Sequence, residues 1–546
     1  MKQLRIISTA VFYVFSQYLY AQPFQAGMSD YERAVKKVGS VMYCIDNYYV
    51  DTANIKDLAE KAVINIMKSL DPHSSYVSKE EFNSMNEPLQ GNFEGIGIEF
   101  NILNDTLMVV SPVPDGPSER VGLRSSDRIV AVNGENIAGV GITNDKVHKL
   151  LRGPKGSKLD ITVKRADLTF DFKITRDRIP ILSVDAAYQT DEIAYVKLNK
   201  FAVNSMKEIR DAWSRFENPA SLILDLRGNS GGVMGTAIEL ADQFFDSGKL
   251  IVYTEGVNAP NQSEFSSDKG FFKKGKLVVL IDEGSASAGE IVAGAIQDWD
   301  RGILIGRRSF GKGLVQQMIS LNDGSFIKLT VSRYHTPTGR VIQRRYDMGK
   351  TEEYYEDLYN RFSGEVYSAE GIEFPDSLKY QTLRNKRTVY GGGGIMPDIF
   401  VPLDTSSYSK YSGQLYRKGI VYQFILGYLD SNRDLLKAEY KTFERFDSEF
   451  EVDDEMFEDF IAYAEKEGVA RDDEGLAISG NDLRMYIKAL IARDVFTSSE
   501  YYKLMNRNDK VFRKALEVFK NWKQYENSIL KNNTNDFEDW AWIFDF

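Results

Sequence analysis

The stretch from Leu277 to Glu290 constrains the fold more than any other. A short apolar run, Leu277 to Ile281, breaks at Gly284-Ser285-Ala286-Ser287-Ala288-Gly289-Glu290, after which apolar residues recur at a new period. Ala288, Ile291, Val292, Ala295, Ile296 and Trp299 follow helical spacing, so the segment reads as strand, tight small-residue turn and helix. That order belongs to α/β architecture. It places Ser287 at a helix N-terminus, where free backbone N–H groups and the positive end of the helix dipole support an exposed nucleophile and a developing oxyanion.

A serine nucleophile needs a base. The chain has only three histidines, His73, His148 and His335, and none lies close in sequence to the serine turn. Lysine is the alternative, in Phe310-Gly311-Lys312-Gly313. A free lysine titrates at about 10.4, so Lys312 must sit among apolar groups that disfavour its charged form. Ile303, Leu304 and Ile305 before it, and Leu314 and Val315 after it, supply that setting. If a strand begins after Gly313, Gln316 shares a face with Lys312 and can orient the amine as the third member of a nucleophile, base and orienter set. A phosphate-binding loop is the rival, because Gly306 and Gly311-Lys312 come after an apolar run. It fails at Gly313, which stands where a Ser or Thr hydroxyl would hold magnesium. The next residues, Val315 to Leu321, Asn322-Asp323-Gly324 and Phe326 to Val331, read as a hairpin instead of the required helix. Taken singly, each piece has a plainer reading: a serine before a helix is more often a cap, and Gly231-Gly232 could simply begin a helix.

Taken together they do more. Leu224-Asp225-Leu226-Arg227-Gly228-Asn229-Ser230-Gly231-Gly232, the Ser287 turn, and Gly306-Arg307-Arg308-Ser309-Phe310-Gly311-Lys312-Gly313-Leu314-Val315-Gln316 occur in that order. The chain thereby resembles the carboxyl-terminal processing (tail-specific) protease family of Ser/Lys peptidases, from roughly Val35 to Asp398. The resemblance implies Ser287 as nucleophile, Lys312 as base and Gln316 as its orienter. It implies an oxyanion hole of backbone N–H groups from Gly231 or Gly232 together with Ala288. It also implies a crotonase/Clp-like α/β core, a mixed sheet with helices, and peptide hydrolysis through an acyl-enzyme with no metal or organic cofactor.

Residues 90–176 read as short strands with Gly-containing turns and one helix, Asn144 to Leu151. Gly95-Ile96-Gly97-Ile98, Pro117-Ser118-Glu119-Arg120-Val121-Gly122-Leu123, Asp127-Arg128-Ile129 and Val132-Asn133-Gly134 resemble a PDZ domain in their order. The implied domain is mainly β. In it, backbone amides of Gly95, Ile96, Gly97 and Ile98 would hold a peptide's terminal carboxylate while the peptide adds as a strand to an exposed edge. Ser126 stands where such domains commonly have glycine, which leaves the turn type open.

The rest of the chain is organised around these regions. With 546 residues and 43% apolar content there is material for about three or four domains. A net charge of -11 argues against nucleic acid as a partner, and Arg384-Asn385-Lys386-Arg387 is too short to be more than a solvated loop. Residues 1–21, with Lys2, Arg5, an apolar stretch from Ile6 to Tyr20 and Ala21 at a cleavage position, read as a secretory signal peptide. Such a segment implies export to the periplasm or cell envelope. An uncleaved anchor is the competing reading, and membrane association is expected only in that case. The single cysteine, Cys44, excludes an intramolecular disulfide and is expected to be a buried small hydrophobe.

Residues 22–89 read as an N-terminal helical region ending at Asp71-Pro72-His73-Ser74, a block similar to one in the same proteases, and His73 is assigned a structural role. Residues 177–404 form the expected protease core. Within it, 345–390 is a polar, Tyr-rich insertion without an assigned role, and Gly391-Gly392-Gly393-Gly394-Ile395-Met396-Pro397-Asp398 resembles the family's closing signature, as a flexible joint or a packed turn. Residues 405–546, acidic and aromatic, are expected to be a helical accessory domain for dimerisation or partner docking. The expected substrates are unfolded or flexible protein C-termini. Two alternatives stay open: a catalytically silent peptide-binding scaffold of the same fold, and a hydrolase of small amides or esters, for which a strand-capturing edge has no use.

Overall fold

The structure is a computed structural model describing residues 28–531, so the signal-peptide expectation for residues 1–21 lies outside the described residues. Among the described residues, no helix is long and apolar enough to cross a membrane.

Residues up to Leu70 form one unit. Its helices, Asp30–Tyr48 and Ile55–Lys68, start on side-chain caps: Ser29 and Glu32 form a capping box, and Asn54 Oδ1 accepts the Asp57 N–H at 3.2 Å. Helix Asp30–Tyr48 buries none of its residues. Cys44 is accordingly exposed, not buried as expected. Among the described residues of this unit, helix Ile55–Lys68 is the one other helix that could cover it, and two helices enclose too little volume to bury a thiol.

From Asp71 onward the chain forms a second unit. Its central six-stranded sheet runs Val184–Thr190, Ile193–Leu198, Ser221–Asp225, Lys276–Ile281, Ile303–Gly306, Ile399–Phe400. The first pair is antiparallel and every later pair parallel. Parallel strands need cover on both faces, which is why Ser221–Asp225 is buried at every residue and why Leu277 to Ile281 is an unbroken apolar run. Helices Ser205–Trp213, Met234–Asp242 and Ala288–Asp298 cover one face. The opposite face, with Ile223, Val278, Leu280, Ile303 and Ile305, packs on Val511, Ala515, Val518 and Phe519 of helix Lys510–Lys520. The last helices of the expected accessory region are therefore a layer of the core itself.

A second sheet is built on Phe326–His335, which pairs antiparallel with Leu314–Ser320, Ser75–Val77 and Leu250–Glu255. Its first pair is the hairpin that separates Lys312 from a phosphate-binding loop.

The PDZ-like domain is a five-stranded path in the order Ile98–Leu103, Thr106–Pro112, Arg128–Val132, Lys158–Arg165, Leu168–Thr175, leaving Ile98–Leu103 at an edge. Its entry and exit, Asn92–Gly95 and Asp177–Pro180, pair with each other as a neck. Ser126 has φ +70°, the left-handed conformation that favours glycine. Its hydroxyl accepts from Arg433 Nη1 at 3.0 Å, a contact that glycine could not make. Arg433 belongs to helix Ile420–Glu439, part of a C-terminal helical cluster. The same helix places Leu426 against Met108 and Val110, and Asp430 against Arg128 at 2.9 Å.

Candidate active site

Ser287 sits at the start of helix Ala288–Asp298 with φ +53° and ψ -112°. Such a backbone costs a non-glycine residue on the order of 1–3 kcal/mol, so the surroundings must hold it in place. Two buried side chains do so. Glu290 Oε2 accepts the Ser287 N–H at 2.8 Å, and the Tyr334 hydroxyl donates to the Ser287 carbonyl at 2.9 Å. The same two groups reach the lysine: Glu290 accepts the N–H groups of Gly311 and Lys312 at 2.7 and 2.9 Å, and the single Tyr334 hydroxyl proton is shared with the Lys312 carbonyl, 2.7 Å from the Tyr334 oxygen. Glu290 also accepts from Ser309 Oγ at 2.6 Å. Burial pushes the Glu290 carboxyl up despite these donors, and pushes the Tyr334 hydroxyl well above its ordinary range, keeping it a donor. The serine turn and the lysine turn thus share one polar frame.

Lys312 Nζ donates to Gln316 Oε1 at 2.9 Å, and Gln316 Nε2 donates to the His73 carbonyl at 2.6 Å, which settles the orientation of the amide. The strand begins at Leu314, and its pairing with Phe326–His335 shifts register between Val315 and Gln316. The two residues meet across this irregularity, so simple alternation along a strand, the reason read from the sequence, does not describe their geometry. Burial lowers the Lys312 amine to about 8, with the neighbouring Lys328 lowering it further and Glu290 and Asp71 opposing. Burial, followed by the charge of Lys312, lowers His73 to about 4, so its ring is neutral near pH 7. Asp71 Oδ1 accepts the N–H groups of His73 and Ser74 at 2.8 and 2.9 Å and fixes the turn that presents the His73 carbonyl.

The glycine turn lies directly against the serine. A Cβ at Gly231 would fall 2.8 Å from Ser287 Cβ and 3.0 Å from the Ala288 nitrogen, and one at Gly232 would fall 2.1 Å from the Phe201 carbonyl oxygen. The Gly231 N–H donates to Asn229 Oδ1 at 2.9 Å. Of the two glycines, Gly232 is therefore the one whose amide is not committed to Asn229. Ala288 is the first residue of its helix, so its N–H has no partner within that helix. Beneath this turn, burial would raise the Asp225 carboxyl, but Arg227 and Lys197 hold it below the usual carboxylate range. The Gly391 to Gly394 run is a packed turn: Gly392 and Gly394 donate to Val341 and Ile342 at 2.7 and 2.8 Å, and a Cβ at Gly311 would fall 2.7 Å from the Gly393 carbonyl carbon.

In the PDZ-like domain, Gly95, Ile96 and Gly97 are buried and lead into the edge strand at Ile98. The Ile96 carbonyl accepts from Ser118 N and Oγ at 3.0 and 2.7 Å. Phe100 meets His148 of helix Asn144–Leu151 with ring centroids 5.4 Å apart, so the edge strand and the helix lie side by side.

Sequence reasoning missed Glu290, Tyr334, Lys328 and the His73 carbonyl. Only Glu290 carried a local signal, standing three residues after Ser287 as the acid of a capping box does.

An α/β core with a strained serine at a helix N-terminus, a partly buried lysine and an appended PDZ-like sheet describes a class of serine peptidases. Residues 192–350 match Peptidase family S41, 108–165 match the PDZ domain, and 411–497 match a family of unknown function. A probable CtpA-like serine protease of Staphylococcus aureus strain MRSA252 is 34% identical over 344 residues, covering 62% of this chain and 68% of that protein. Its counterpart in Staphylococcus epidermidis strain ATCC 35984 is 33% identical, covering 62% and 69%. Among solved structures, the photosystem II D1 C-terminal processing protease is 26% identical, covering 56% of this chain and 89% of that one, with a TM-score of 0.32. The chain belongs to the S41 family of serine peptidases, as a CtpA-like member with a PDZ domain.

Proposed function

We propose that this chain is an exported endopeptidase of the cell envelope that captures flexible protein C-termini in its PDZ groove and cleaves peptide bonds with Ser287 and Lys312. The observation that carries this reading is the shared frame of Glu290 and Tyr334, each bonded to the backbones of both Ser287 and Lys312. In the proposed reaction the neutral Lys312 amine takes the Ser287 hydroxyl proton as Oγ attacks the peptide carbonyl. Amides of Gly232 and Ala288 stabilise the tetrahedral oxyanion. Collapse breaks the C–N bond, and the proton on Lys312 passes to the departing amine. Water then attacks the acyl-enzyme with Lys312 again as base, returning the proton to Ser287. Gln316, anchored on His73, keeps the amine aimed.

The test is cleavage of an unfolded reporter ending in apolar residues, alongside labelling by a fluorophosphonate. Ser287→Ala is expected to lose both. Lys312→Ala is expected to lose about 10²–10⁴-fold in kcat while still binding the reporter's C-terminal peptide. Undiminished cleavage by either variant removes the assignment.

A further inference from the structure

The insertion 345–390 supplies one α-helix, Thr351–Gly364, whose two ends reach different parts of the lysine assembly. At its C-terminal end Arg361, 9% exposed, donates through Nη1 to the carbonyls of Phe310 and Gly393 at 3.2 and 3.0 Å. Through Nη2 it donates to Ser309 and, at 3.4 Å, to Arg308. Its Nε pairs with Glu365 at 3.2 Å, and Glu365 in turn pairs with Arg308. A guanidinium is the one side chain with enough donors in a fixed plane to bind several carbonyls of one turn at once. Three of these carbonyls belong to the residues just before Gly311-Lys312, and the fourth to the glycine turn packed on Gly311.

At the N-terminal end, the Tyr354 hydroxyl lies 3.1 Å from His73 Nε2 and the Tyr355 hydroxyl donates to the Pro72 carbonyl at 3.3 Å. Tyr354 is held under Arg344, whose guanidinium carbon lies 4.0 Å from its ring centre. The turn that these tyrosines touch presents the His73 carbonyl to Gln316, the partner of the lysine amine.

We propose that the insertion helix is the brace of Lys312, with Arg361 as a positioning residue that fixes the backbone carrying the lysine and Tyr354 as one that fixes the turn anchoring Gln316. The brace rests on the Ser/Lys reading, and it predicts more than stability: loosening the helix misplaces the base without removing it.

The experiment uses the full chain with Arg361→Ala, Arg361→Lys and Tyr354→Phe. It measures kcat and KM from pH 6 to 10, and amide hydrogen exchange resolved over residues 308–316. Arg361→Ala is expected to lower kcat at least about tenfold, because small misplacement of a catalytic group is costly. KM should hold within about twofold, the rate should rise at a higher pH than in the parent as the loosened amine becomes hydrated, and exchange should speed up over 308–316 but not in Ser221–Asp225. Arg361→Lys, which keeps the charge and loses the fork, should fall between, and Tyr354→Phe should show the smallest change of the same kind. Should Arg361→Ala fail to fold, Arg361→Lys and Tyr354→Phe decide alone. Parent-like pH profiles and parent-like exchange in the folded variants overturn the brace. Parent-like cleavage by Ser287→Ala overturns the Ser/Lys reading instead, and the exchange data still judge the brace.

Discussion

At the scale of single residues the site is a contest over one proton. With its amine lowered to about 8, Lys312 is neutral in about one molecule in ten at pH 7. In the proposed mechanism Lys312 is the general base, and a general base acts only when deprotonated, so the rate should rise tenfold per unit below that value and level off above it. Lys328 contributes to the lowering because a second cation nearby disfavours protonation of the first. Lys328→Met should therefore move the rise to higher pH, cutting activity at pH 7 roughly threefold and leaving the plateau near pH 10 unchanged. A pH–rate profile with one reporter peptide checks this, and a shift to lower pH would contradict the sign. Ser287, Lys312 and Gln316 could be singled out in the sequence because the chemistry proposed for them demands particular residue types at short spacing. Tyr334 was not, because its contribution is a hydroxyl aimed at two carbonyls from a strand distant in sequence. Cys44 misled for a related reason: its apolar neighbours say helix face, and a face does not say what covers it.

At the scale of elements, strand and helix order were readable wherever period and turn chemistry agreed, as in the hairpin after Lys312 and helix Asn144–Leu151 of the PDZ domain. The role of the insertion was not readable, since Arg361 binds backbone carbonyls and carbonyls leave no mark in a sequence. The PDZ neck and loop offer a sharper test of element geometry. Gly97 has φ +74°, and a Cβ there would fall 2.8 Å from Ile179 Cδ1, on the strand that closes the neck. Gly97→Ala meets both a conformational penalty of about 1 kcal/mol and a steric one. If this loop holds a peptide's terminal carboxylate as proposed, its shift should weaken binding of a C-terminal peptide roughly tenfold or more, since about 1.4 kcal/mol is tenfold in affinity. Cleavage of a short substrate that does not engage the groove should be little changed. Calorimetric titration of the full Ser287→Ala chain, with and without Gly97→Ala, reads the affinity directly.

At the scale of the whole molecule, the C-terminal helices join what the sequence suggested were separate parts. Helix Ile420–Glu439 is tied to the PDZ sheet through Asp430, Leu426 and Arg433, and Arg433 is itself paired with Asp494 at 2.7 Å. Helix Ser498–Met505 closes an edge of the core sheet, with Ser499 Oγ accepting the Ala187 N–H at 3.1 Å and donating to its carbonyl at 3.2 Å. That contact covers the exposed backbone groups that an edge strand would offer to another chain. Helix Lys510–Lys520 then seals the sheet face opposite Ala288–Asp298. Val511, Val518 and Phe519 are each worth about 1.5–3 kcal/mol of burial, a large share of the roughly 5–15 kcal/mol by which a domain is stable. A chain ending at Leu403 should consequently expose Ile223, Val278, Leu280, Ile303 and Ile305 together with an open strand edge. It is expected to aggregate or to bind a hydrophobic dye strongly, with cleavage lost as a result of unfolding and not of any missing catalytic group. A soluble, monodisperse and active product of that truncation, seen by light scattering and reporter cleavage, would mean that the core is complete without these helices.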